Sequence, residues 1–212
     1  LSRVMWGSRV SLMVSLSSVV VSMVGGTLLG AGSGYLGGIF DTIVMRLTDM
    51  MLSFPGILLA LAIITSLGAG LQNVVIALAV SFTPMFIRLA RASTLSLREQ
   101  EFVQAALAVG SGSRRIVLVH ILPNIMAPII VVGTLYLATA VLTEAALSFL
   151  GVGVPPPTPT WGNMISEGRL FLQINATPTF VGGGAIVVAV MGFNLLGDGL
   201  RDVLDPRLRG KL

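Results

Sequence analysis

The chain has 212 residues, 54% hydrophobic and only 10% charged, with 13 Lys and Arg against 9 Asp and Glu for a net charge of +4. Soluble domains carry about 25% charged residues, so charge this sparse cannot cover an aqueous surface, and the mean hydropathy of +0.94 requires lipid as solvent. The basic residues gather at the ends of apolar runs without interleaved aromatics, which excludes a nucleic-acid surface, and the lack of cysteine excludes disulfides and thiolate metal sites.

A helix needs about 20 apolar residues to cross ~30 Å of hydrocarbon. Continuous apolar runs predict helices over 10–34, 48–67, 72–92, 119–147 and 178–197. The runs do not alternate as barrel strands would, so the fold class expected is all-α, a polytopic helix bundle in one domain over 1–212.

In the first helix Gly26, Gly30, Gly34 and Gly38 recur every four residues, a smooth stripe on which another helix can pack closely. The overlapping Gly32-Ser33-Gly34-Tyr35-Leu36-Gly37 spells a dinucleotide fingerprint. It closes a spanning run instead of following a strand, so nucleotide binding is rejected. Pro55 in Ser53-Phe54-Pro55-Gly56 predicts a kink or a late start in the second helix, and Gly68-Ala69-Gly70 a turn into the third. The loop 93–118 is the most polar part of the chain. Within it, residues 99–109 predict a short helix with Phe102, Ala105, Ala106 and Val109 on one face, ended by Gly110.

Near the outer end of the fourth helix stands Glu144. Two readings remain open: a carboxylate that reaches outer water or caps a neighbour, or one that faces a cavity, a gate or a partner subunit. The next loop carries Val154-Pro155-Pro156-Pro157-Thr158-Pro159-Thr160-Trp161, a stiff ledge with Trp161 suited to a membrane interface. Asp198, Arg201, Asp202 and Asp205 follow the last helix at helical spacing and suit local ion pairing at the headgroups. His120 is the only histidine and has no Cys or carboxylate at ligand spacing, so no metal site is expected. No nucleophile elbow occurs. The pair Gly210-Lys211 has no glycine five residues before it, so no phosphate-binding loop exists and no cofactor is expected in this chain.

Orientation follows from the cationic loops. With 93–118 cytoplasmic, Arg46, Arg88, Arg91, Arg98, Arg114, Arg115, Arg201, Arg207, Arg209 and Lys211 lie inside, and only Arg3, Arg9 and Arg169 outside. The C-terminus is then cytoplasmic and residue 1 external. An earlier helix is expected, which would return the true N-terminus to the cytoplasm.

Glu101-Phe102-Val103-Gln104-Ala105-Ala106, Gly110 and then His120-Ile121-Leu122-Pro123-Asn124 resemble the Glu-Ala-Ala loop of bacterial ABC-importer permeases. Ala105, Ala106, Gly110, Leu122 and Pro123 fall at the family positions, while Gln104 replaces the Glu and His120 an Ile. Glu144-Ala145-Ala146-Leu147-Ser148-Phe149-Leu150-Gly151, Pro159-Thr160-Trp161-Gly162 and Asn194-Leu195-Leu196-Gly197-Asp198 resemble the C-type subunit of the dipeptide/oligopeptide (peptide/nickel) branch. The resemblance implies a type I importer permease in a bacterial inner membrane. It further implies a second, different permease subunit as heterodimer partner, two cytoplasmic ATPases that carry ATP and Mg, and an external solute-binding protein. Loop 93–118 would couple to an ATPase through Glu101, Phe102, Gln104, Ala105, Ala106, Gly110, Leu122 and Pro123. The cargo implied is a dipeptide or oligopeptide, with nickel, glutathione or another small solute as alternatives. An ion-coupled secondary transporter or channel is the competing class, disfavoured by spans nearly free of charge.

Overall fold

A computed structural model describes residues 2–204. The expected inner charges Asp205, Arg207, Arg209 and Lys211 lie outside the described residues. The rest is helical, with no strand among the described residues: α1 (Ser2–Leu36), α2 (Gly38–Leu52), α3 (Gly56–Leu67), α4 (Leu71–Arg98), α5 (Glu101–Ala108), α6 (Ser113–Phe149), α7 (Trp161–Gly168) and α8 (Thr177–Leu204).

Four helices, α1, α4, α6 and α8, are long and apolar enough to cross a membrane. A fifth crossing arises only if α2 and α3 count as one broken span. The helix expected over 48–67 is thus corrected to two pieces that meet at 93°. Pro55 has no N–H to donate and biases Phe54 away from the helical region, which accounts for the break. The third expected helix does not stop at 92 but continues as α4 to Arg98. The fourth begins earlier than expected, at Ser113. Its second turn, Ile116–Ile121, is a π-helix. Pro123 would clash with the carbonyl four residues back, and the wider π turn relieves that geometry. The Asn124 side chain donates to the His120 carbonyl oxygen at 2.7 Å.

α1 and α4 form the most extensive helix pair and run parallel: Ser18 lies against Val75, Gly26 against Phe86 and Gly34 against Thr94. The small residues of α1 set this closeness. A Cβ on Gly26 would lie 2.6 Å from that of Phe86, one on Gly30 would collide with the Ile87 carbonyl, and one on Gly34 would lie 3.0 Å from the Arg91 carbonyl oxygen. Gly38 departs from the expected stripe. The preceding Gly37 takes φ +66° and ends α1, so Gly38 opens α2 at φ +61° facing open space. The stripe runs the other way instead, through Ser11, Ser15, Ser18 and Ser22, all fully buried. Ser15 and Ser18 return their hydroxyls to carbonyls four residues back and Ser22 to one three back, and Ser18 also reaches the Val75 carbonyl of α4 at 3.3 Å.

α6 packs antiparallel to α1 and against α8, and α7 lies between α6 and α8 at the end of the bundle where α1 begins. α8 keeps most of its apolar surface exposed, including Phe180, Val188, Met191 and Leu195. Such a face in a spanning helix meets lipid or another subunit.

Candidate functional site

At its C-terminal end, α4 leads into α5 through Glu99 and Gln100. The Gln104 amide donates to the Arg98 carbonyl oxygen at 2.9 Å and ties α5 to the end of α4. α5 ends in two paired bonds: Gly110 N–H to the Leu107 carbonyl and Ser111 N–H to the Ala106 carbonyl, at 2.9 and 3.0 Å. This is a Schellman cap, and it requires the left-handed backbone that Gly110 adopts at φ +83°.

The apolar residues of α5 split between two faces, where the sequence predicted one. Val103 and Ala106 are buried in the core cluster with Ile116 and Ile121. Phe102, Ala105 and Val109 are exposed, Val109 at 83%. Ala106 therefore packs on its own subunit, while the outward row at positions 102, 105 and 109 stays open. Glu101 and Gly110 are exposed beside that row, and Pro123 is exposed at the start of the straight part of α6. Leu122 is half-buried and packs on the core.

Toward the opposite end of the bundle, Glu144 is fully buried. Its Oε2 accepts from the Ser11 hydroxyl at 3.1 Å and its Oε1 from the Ser148 hydroxyl at 2.8 Å. Ser11 Oγ in turn accepts the Trp161 main-chain N–H at 3.2 Å. One carboxylate thus joins α1, α6 and the start of α7. Of the two readings, the geometry follows the capping of neighbours; the side chain faces neither outer water nor an open cavity of this chain. Trp161 is packed inside the chain. It is 5% exposed and donates from Nε1 to the Val4 carbonyl at 3.2 Å. The ledge before it is held by Asn163, whose amide donates to the Val154 carbonyl at 2.7 Å.

Two ion pairs escape a reading of the sequence. Arg91 engages Asp41 bidentately, with Nε and Nη2 each 2.6 Å from one carboxylate oxygen. Arg88 Nη2 lies 2.6 Å from Asp49 Oδ1. Both join α2 to α4. The sequence marks these residues only as edges of apolar runs; pairing across 39 and 50 residues carries no local signal. Among the described residues no group of His, Asp and Glu has the arrangement to hold a metal ion.

Comparison with known proteins bears on both ends of this bundle. Residues 26–210 match the family described as binding-protein-dependent transport system inner membrane component. Over 208 residues the chain is 47% identical to the dipeptide transport system permease protein DppC of Alkalihalophilus pseudofirmus, which covers 98% of this chain and 68% of that one. It is 44% identical to the di/tripeptide permease protein DppC of Pseudomonas aeruginosa over 99% of this chain and 69% of that one. The glutathione transport system permease protein GsiD of Escherichia coli shows the same 44%, 99% and 69%. Among solved structures, a chain of the methionine ABC transporter MetNI in an inward-facing conformation superimposes with a TM-score of 0.72 at 23% identity, covering 94% of each chain.

Proposed function

We propose a function that proceeds from one premise: the chain belongs to the family of binding-protein-dependent transport system inner membrane components. It is a multi-pass subunit of an importer's membrane domain, and we read it as half of a translocation pore whose cargo is a short peptide. The relatives that support this cargo are named for dipeptides, di/tripeptides and glutathione; a dipeptide is the reading preferred, with glutathione as its nearest alternative.

The observation that carries the coupling role is the outward row of α5. Phe102, Ala105 and Val109 remain uncovered after Val103 and Ala106 have been used to fix the helix on its own subunit. An apolar row on a rigidly mounted helix outside the hydrocarbon is suited to a groove on another protein. Its occupant in this reading is a cytoplasmic ATPase, which carries ATP and Mg. The Ala105 methyl allows close approach, and the Gln104 tie to Arg98 passes displacement of α5 directly into α4. ATP binding would then shift the pore between two conformations by favouring one of them. This chain itself hydrolyses no ATP. The C-terminus and loop 93–118 face the cytoplasm, the Pro-rich ledge faces outward, and the solute-binding protein delivers cargo on that outer side. A second, different permease completes the pore.

The function is tested by deleting this subunit and measuring uptake of a radiolabelled dipeptide by whole cells. Uptake is expected to fall to background and to return with the intact gene. Unchanged uptake in the deletion strain, for dipeptides and glutathione alike, contradicts the reading.

A further inference from the structure

α2 is a rod mounted on few supports. It is bounded by Gly37 and Gly38, both left-handed with open space around them, and by the Ser53–Pro55 break. Of its fifteen residues only Val44 and Thr48 are buried. Ile39, Ile43, Leu47 and Met50 point away from the bundle. Beside the packing of Val44 and Thr48, a pair of ion contacts to α4 holds it. Asp41 and Asp49 lie about two turns apart on α2, and Arg88 and Arg91 about one turn apart on α4. The first pair is bidentate and half-buried, with side chains 18% and 29% exposed, so it fixes direction as well as distance. The second is half exposed on both sides and is by itself a weak source of stability. α4 runs unbroken from these arginines to Arg98, where Gln104 attaches α5. At its far end α2 leads through the Pro55 joint into α3, which packs back on α4.

From this arrangement we infer that Asp41 and Asp49 are positioning residues for coupling: their ion pairs with Arg91 and Arg88 transmit motion of the α4–α5 unit into the hinged α2–α3 segment. The inference rests on the reading of this chain as an ATP-coupled permease. Without the pairs, the Gly37–Gly38 and Pro55 joints leave α2 free to lag behind α4. With them, α2 moves as part of α4 and the Pro55 joint converts that movement into a change of the α3 angle. The pairs thus act on the yield of transport per ATP rather than on either binding step.

The test uses the complete transporter in proteoliposomes, with ATP hydrolysis and uptake of radiolabelled dialanine measured in the same sample. In the Asp41→Asn, Asp49→Asn double variant, assembly and hydrolysis should persist while dialanine taken up per ATP falls about tenfold. Arg91→Asp alone should lower the same ratio, and Asp41→Arg combined with Arg91→Asp should recover it, since the charges then pair in the opposite sense. An unchanged ratio in the assembled double variant overturns the inference. So does loss of assembly, hydrolysis and uptake together with no recovery in the swapped pair, because that pattern belongs to a purely structural contact. A wild-type complex that neither hydrolyses ATP nor takes up dialanine or glutathione fails the permease reading instead, and is told apart by the wild-type sample alone.

Discussion

Glu144 places a carboxylate in the buried interior of the bundle, and its two hydroxyl donors come from Ser11 on α1 and Ser148 on its own helix. Replacing it with Leu removes the acceptor of both buried hydroxyls, at a cost of about 1–3 kcal/mol. Glu144→Gln keeps one acceptor oxygen and should cost less. Thermal unfolding of the detergent-solubilised subunit should therefore rank wild type above the Gln variant and the Gln variant above the Leu variant; a Leu variant that melts with wild type contradicts the clamp. The sequence shows that this acid lies in an apolar run but not what it meets, because Ser11 is 133 residues away. The serine stripe of α1 was legible in principle at its four-, three- and four-residue spacing, and a search confined to glycine passes over it. Gly38 shows the opposite limit: its spacing fits the stripe, yet a left-handed Gly37 just before it ends the helix.

At the scale of elements, α5 is the part whose chemistry divides most clearly between holding and docking. Its existence and its Gly110 terminus follow from local composition and were legible, although it runs from Glu101 to Ala108 and not over the expected 99–109. The assignment of its faces was not: Phe102, Ala105, Ala106 and Val109 share a helical sector, and only packing on the Ile116–Ile121 turn separates Ala106 from the rest. That division predicts different outcomes for neighbouring substitutions. Ala106→Arg should destabilise the subunit itself, because a cation would enter a site only 8% exposed. Ala105→Arg should leave the subunit folded and inserted but abolish co-purification of the ATPases. The measurement is a pull-down from membranes with the yield of inserted subunit as reference. ATPases retained at wild-type level by an inserted Ala105→Arg variant would remove α5 as the docking contact. The broken α2–α3 pair belongs at this scale too. Pro55 announces a kink, but its size of 93° has no local signal, and the start of α2 at Gly38 follows the left-handed Gly37 that ends α1.

For the whole molecule, the sequence of long apolar helices was legible because hydrocarbon thickness sets helix length. The apolar runs and their turns locate α1, α4, α6 and α8 to within several residues, and the family follows from the blocks around Ala105, Glu144 and Gly197. What holds the bundle was less legible, since parallel packing of α1 on α4 joins segments some 57 residues apart through small side chains that carry no pairing code. The exposed faces of α8, α2 and α5 indicate a subunit that completes its surface with lipid and other chains. The most direct measurement is reconstitution of this chain with the second permease, ATPases and binding protein proposed for it in liposomes, followed by dipeptide uptake with ATP or with an imposed ion gradient. Uptake that requires ATP, the binding protein and this chain, and that ignores the gradient, is the result predicted. Uptake by this chain alone, driven by the gradient and indifferent to ATP, would contradict the account.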